Sequence, residues 1–113
     1  MPQYAVLIYS PAPADPMALT PDYVALLDQY QGQVKELGGE IVTGFALAPS
    51  PTATAIRGDV VTDGPFVEAK EVVAGFFILD APDADTAVAI AKLNPATRAG
   101  GVEVRPLFVP PAD

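Results

Sequence analysis

A chain of 113 residues holds one domain comfortably, and a composition half apolar and 18% charged buries a core and excludes a disordered tail. Fourteen Asp and Glu against six Lys and Arg leave a net charge of -8, which opposes nucleic-acid phosphates and anionic membranes. The absence of Cys and His removes disulfides, thiolate nucleophiles, zinc or haem ligation and the usual general base, so any chemistry falls to carboxylates, Lys, Arg, Tyr, Ser or Thr.

Tyr4 to Tyr9 is a continuous apolar run, partly β-branched and aromatic, and reads as a central strand buried on both faces. Six residues with no cationic segment before them make neither a signal peptide nor a membrane span, so a cytoplasmic protein of bacterial type is expected. Pro11 to Met17 carries three prolines and reads as a loop. Thr20-Pro21-Asp22 is a helix start, with Thr20 as cap, Pro21 at the first helical position and Asp22 complementing the dipole. Tyr23, Leu27, Tyr30, Val34 and Leu37 then form an apolar stripe, with Asp28, Gln31, Gln33, Lys35 and Glu36 outside it, and Gly38-Gly39 stops the helix.

Residues 40–48 read as a second strand, in which Gly44 marks a bulge or a close backbone approach. Residues 52–56 and 60–62 flank Gly58-Asp59, which fits a two-residue hairpin loop, and Asp63-Gly64-Pro65-Phe66 is a turn. Val72 to Leu79 is a further strand, Ala84 to Leu93 a second helix with Ala87, Ile90 and Ala91 on its packing face, and Asn94-Pro95 its end. Val102 to Phe108 alternates as far as Pro106 and reads as a strand near an edge.

This order predicts a single α+β domain over residues 1–113, a split βαβ or ferredoxin-like plan with an inserted β-hairpin. Two helices cover one sheet face, yet the long strands are apolar on both alternations. A second subunit is the simplest cover for the other face, so a homodimer is expected.

Thr62 to Glu71, TDGPFVEAKE, resembles the signature of the YCII-related, DGPF-type family. The opening Tyr4-Ala5-Val6-Leu7-Ile8-Tyr9 and the closing Gly101-Val102-Glu103-Val104-Arg105-Pro106 are similar to the family's terminal strands. The resemblance implies a dimeric α+β barrel, two ferredoxin-like subunits packed sheet to sheet. It also implies a small bacterial protein of undefined activity, in some members encoded beside extracytoplasmic-function sigma factors. The His and Asp pair proposed as catalytic in related members does not transfer, because this chain has no His.

Asp63, Glu68, Lys70 and Glu71 lie within nine positions, where a carboxylate beside an ammonium can do acid-base work if burial brings their pKa values toward neutrality. Asp63, Glu68 and Lys70 are the catalytic candidates; the competing reading makes Asp63 a turn cap and leaves the others in solvent. Tyr9, Arg57 and Arg105 are the ligand-binding candidates, the Arg forks suiting a carboxylate, against solvent pairing of Arg57 or Arg105 with Glu103 or Asp59 and an interface role for Tyr9. Asp83 and Asp85 read as complements to a helix dipole rather than metal ligands, and no glycine pattern cradles a phosphate, so neither metal nor cofactor is expected. The sequence thus leads to a homodimer that binds a small organic molecule, with cofactor-free isomerase, lyase or hydrolase chemistry, a binding or regulatory module that the resemblance links to a sigma factor, and a purely structural dimer as competing functions.

Overall fold

A computed structural model describes residues 1–65 and 70–111. Six strands and two helices follow in the order β1 (Gln3–Pro11), α1 (Pro21–Glu36), β2 (Glu40–Ala46), β3 (Thr54–Arg57), β4 (Val60–Asp63), β5 (Glu71–Asp80), α2 (Ala84–Lys92) and β6 (Gly101–Pro106). The main sheet has the order β2-β5-β1-β6 and is antiparallel throughout, which is the ferredoxin-like arrangement, with β3 and β4 paired as a separate two-stranded ribbon.

The helix ends follow the local chemistry. Thr20 Oγ1 accepts the Tyr23 amide at 3.2 Å and Pro21 opens α1. At the other end the Gly38 amide reaches the Lys35 carbonyl and the Gly39 amide that of Val34, with Gly38 at φ 86°. This Schellman closure uses the left-handed backbone that glycine alone adopts without penalty. Asp83 caps α2 by accepting the Thr86 amide at 2.7 Å, and Asn94 caps a short 3-10 turn at Pro95–Arg98 in the same way. A further 3-10 turn at Pro16–Ala18, capped by Asp15, interrupts the proline-rich segment expected to be plain loop, because its proline sits at the first position of the turn.

Both helices lie on one face of the sheet. Tyr4 and Val6 of β1, Phe77 and Leu79 of β5, Tyr30 and Val34 of α1, and Ala87 and Ile90 of α2 form the core. Leu79, Ile90, Val6 and Val34 are its largest fully buried side chains, each contributing about 1.5 to 3 kcal/mol of transfer free energy. The expected α1 stripe needs correction at both ends. Leu37 is 42% exposed, because α1 ends at Glu36 and residue 37 caps it beyond the core's edge. Tyr23 and Leu27 are half-buried, since they stand over open space rather than packed side chains. Several strand limits also move: β2 stops at Ala46, the hairpin strands start at Thr54 and end at Asp63, and β6 stops at Pro106. The bulge in β2 lies between Ile41 and Thr43, and Gly44 instead marks a close approach, its missing Cβ leaving room for Phe77.

The opposite sheet face carries no helix among the described residues. Cross-strand pairing places Ala5 beside Ile78, Leu7 beside Phe76 and Tyr9 beside Val73, and Phe45 of β2, 61% exposed, pairs with Phe76. The described residues measure 49 × 42 × 18 Å, with a radius of gyration of 15.6 Å against roughly 13 Å for a compact chain of this length. The excess reflects a thin two-layer body with a ribbon beside it.

Candidate functional site

A cavity of about 770 Å³ lies on the helix-bearing face, between the N-terminal half of α1, the segment 10–20 and the ends of β2 and β5. Its origin is legible in side-chain size. Under the C-terminal half of α1 the sheet presents Phe77, Leu79 and Ile41, which fill the space. Toward the other end the facing positions are Gly44, Ala46, Ala74 and Gly75, which fill little, so α1 bridges a gap. A Cβ on Gly75 would stand 2.6 Å from the Phe45 carbonyl oxygen, so close β2–β5 pairing itself requires a residue without a side chain there.

The segment 10–20 closes one side and is tied down at several points. The Ala12 amide donates to the Lys70 carbonyl and the Ser50 amide to the Pro13 carbonyl, both at 2.8 Å, and Asp15 Oδ1 accepts the Met17 amide at 2.9 Å. Ala14 holds φ 55°, a left-handed value that costs a non-glycine residue about 1 kcal/mol and persists because these bonds impose it.

Tyr30 is buried at the cavity's inner wall, where its hydroxyl donates to the Ile90 carbonyl at 2.9 Å and its ring meets Phe77 edge-on at 6.1 Å. Burial pushes its pKa up to about 12, against the opposing influence of a hydrogen bond with the Asn94 side chain. Burial also raises the pKa of Tyr23 on the same wall. Both phenols are therefore neutral over the ordinary pH range.

The sequence-derived candidates do not converge on this cavity. Asp63, at the end of β4, lines a smaller recess of about 370 Å³ with Ala12, Ser50, Pro51, Gly64, Pro65 and Val72. Its carboxylate has no hydrogen bond to a described residue; the Gly64 amide is spent on the Ala53 carbonyl at 2.6 Å and Pro65 has none to give. Glu68 lies outside the described residues. Lys70 is exposed, and its carbonyl, not its ammonium, makes the contact that anchors Ala12. Tyr9 is half-buried on the helix-free sheet face, opposite Val73 and Gly101. Arg57 ends β3 on the ribbon. Arg105 on the β6 edge pairs with Glu103 at 2.7 Å in largely exposed surroundings, the solvent-facing partnership weighed above. The described residues contain no cluster of three potential metal ligands, and Asp83 is engaged as a helix cap.

A sequence model of the YCII-related domain matches residues 3–109. The chain belongs to the YCII-related domain family. An uncharacterized protein of Rhizobium meliloti (strain 1021) is 39% identical over 69 residues, so the chain spans about half the length of this curated relative, 54% of each being covered. Part of the signature segment 62–71 has a visible structural role in this YCII-related domain: Gly64 turns the chain at φ 90° out of the ribbon, and the Lys70 carbonyl fixes the segment that walls the cavity. None of the described helices is long and apolar enough to cross a membrane.

The cavity residues that the sequence reading missed are mostly small and apolar. A signal existed in Gly44, Ala46, Ala74 and Gly75, small residues interrupting strands otherwise built from Phe, Ile and Val.

Proposed function

We propose that this YCII-related domain binds a small, mostly apolar organic molecule in the cavity beneath α1, and does so as a homodimer joined through the helix-free sheet face. The cavity carries the first part: its volume lies within the range of about 300 to 1,000 Å³ typical of ligand sites, and its walls are mainly apolar with a few polar groups. N-phenyl-1-naphthylamine, a neutral dye that brightens in apolar surroundings, tests it. The wild type is expected to enhance its fluorescence and Ala46→Leu, which fills the cavity floor, to lose that enhancement while keeping its circular dichroism. Equal enhancement by both proteins would refute binding at this place.

Three observations support the dimer. Leu7, Phe76 and Ile78 stand on a bare sheet face. The ribbon leaves Ile56, Val60 and Val61 about 60% exposed, and a two-stranded ribbon is marginal without a neighbour to pack on. Asp80, opposite Gln3 on the same face, holds a buried carboxylate oxygen with no hydrogen-bond partner among the described residues. A second subunit covers the apolar surface and brings donors within reach of that oxygen.

A further inference from the structure

We infer that the molecule taken by the cavity is a neutral amphiphile, an apolar body ending in one uncharged hydrogen-bonding group such as an alcohol, ketone or amide; this rests on the reading of the cavity as a ligand site. The argument begins with charge. Among the described residues no Lys or Arg lines the cavity, and Asp15, the one charged lining residue among them, already accepts the Met17 amide. An anion entering would surrender water without meeting a cation, inside a protein of net charge -8. The Arg residues that would suit a carboxylate, Arg57 and Arg105, belong to the ribbon and the far edge strand.

The second step concerns which polar groups have bonding capacity left. The buried ones are spent on the protein: Tyr30 donates to Ile90, and Asn94 Oδ1 accepts the Ala96 amide at 2.9 Å. Ser10, Tyr23 and Gln31 also line the cavity, are half-buried or exposed, and make no side-chain hydrogen bond to a described residue. Satisfied groups therefore lie inside and unsatisfied ones toward solvent. A ligand that matches this gradient puts its apolar part inward and one polar group against the Tyr23 hydroxyl and its neighbours. Tyr23 lines the cavity as a phenol, neutral near pH 7 at its ordinary value and more so with burial, so it can donate to a carbonyl or hydroxyl oxygen.

Displacement of N-phenyl-1-naphthylamine from the full chain at pH 7 by 1-octanol, octanoate and octylamine, all below their aggregation concentrations, separates the classes at constant chain length. Octanol is expected to displace the dye at a concentration at least tenfold lower than octanoate and below that of octylammonium. Tyr23→Phe should weaken octanol severalfold more than it weakens the dye, whose own affinity is measured for the variant by direct titration. Displacement by either ion at a concentration equal to or below that of octanol overturns the inference while the cavity reading stands. Octanol selectivity that is present in the wild type and unchanged in Tyr23→Phe overturns the assigned polar contact. Dye binding that Ala46→Leu does not diminish overturns the cavity reading and this inference with it.

Discussion

Replacing Tyr30 by Phe isolates one buried hydroxyl and leaves the ring that packs on Phe77. The oxygen donates to the Ile90 carbonyl at 2.9 Å, in a residue only 3% exposed. A buried hydrogen bond is worth about 0.5 to 1.5 kcal/mol net, and more when its loss strands a partner. Here the acceptor is not stranded, because the Ile90 carbonyl also accepts the Leu93 amide at 3.1 Å. Asn94 loses its bond with the hydroxyl but keeps its cap to Ala96. The expected cost is therefore about 1 to 2 kcal/mol, the net range extended upward by the partner that the buried Asn94 side chain loses, while the Ile90 carbonyl adds no such penalty. Urea unfolding should show a lower midpoint with unchanged slope, and Tyr23→Phe, which removes a half-buried hydroxyl with no described partner, should cost under about 0.5 kcal/mol. The same residue predicts a pH dependence. Its folded pKa near 12 lies above the ordinary value of 10.0, so the protonated phenol favours the folded state. That contribution is complete below pH 10 and is lost as pH rises through 12. Tyr30→Phe should flatten the alkaline fall in stability across that window. Equal unfolding costs for the two Phe variants, or an alkaline slope unaffected by Tyr30→Phe, would refute the reasoning.

Light scattering at micromolar concentration should give a mass of about twice 11.7 kDa, and Leu7→Asp, on the bare sheet face, should yield a folded monomer; a wild-type monomer would remove the dimer. Thr20→Ala should lower stability by about 1 kcal/mol through loss of the α1 cap, measured by urea unfolding against a Thr20→Ser control that keeps the oxygen. The hydrogen bond from the Thr86 amide lowers the pKa of Asp83, so its stabilising contribution is present above the ordinary carboxylate range and lost as pH falls; Asp83→Asn should keep the cap and reduce that acid-side loss in thermal melts. Gly75→Ala should weaken β2–β5 pairing, because its Cβ meets the Phe45 carbonyl and the Ala46 backbone, and hydrogen exchange should quicken at the Leu47 amide, which bonds to the Ala74 carbonyl beside it.

The fold was legible where one stretch of sequence carries its own physical instruction. Thr20-Pro21, Gly38-Gly39 and Gly58-Asp59 fix ends and turns through bonds within a few residues, so each was readable without knowing what packs on it. The stripe over Tyr23, Leu27, Tyr30, Val34 and Leu37 was less secure because periodicity gives a helix its apolar side but not the extent of the surface it meets. Tyr30 and Val34 stand over Phe77 and Leu79, Tyr23 and Leu27 over small residues, and Leu37 beyond the end. An apolar side chain that fills a core and one that walls a cavity look alike in sequence, since the difference lies in the size of residues on other strands, Gly44, Ala46, Ala74 and Gly75, outside the helix altogether.

The same distinction explains why the charged candidates and the cavity do not coincide among the described residues. Charged residues draw attention in a sequence because their chemistry is explicit, and that favoured Asp63, Glu68 and Lys70. In the folded chain the segment around them shapes backbone: Gly64 redirects the strand, and the Lys70 carbonyl holds Ala12. Asp63 faces a separate recess beside that same Ala12, so the signature and the cavity meet through the Pro11–Pro13 segment rather than through shared side-chain chemistry. A cavity poor in charge needs little from the residues that most resemble catalysts. Under the proposed ligand reading, its selectivity would rest on what the small residues leave open and on a few hydroxyl and amide groups without a described partner, which would tie recognition to the packing of α1 on its sheet.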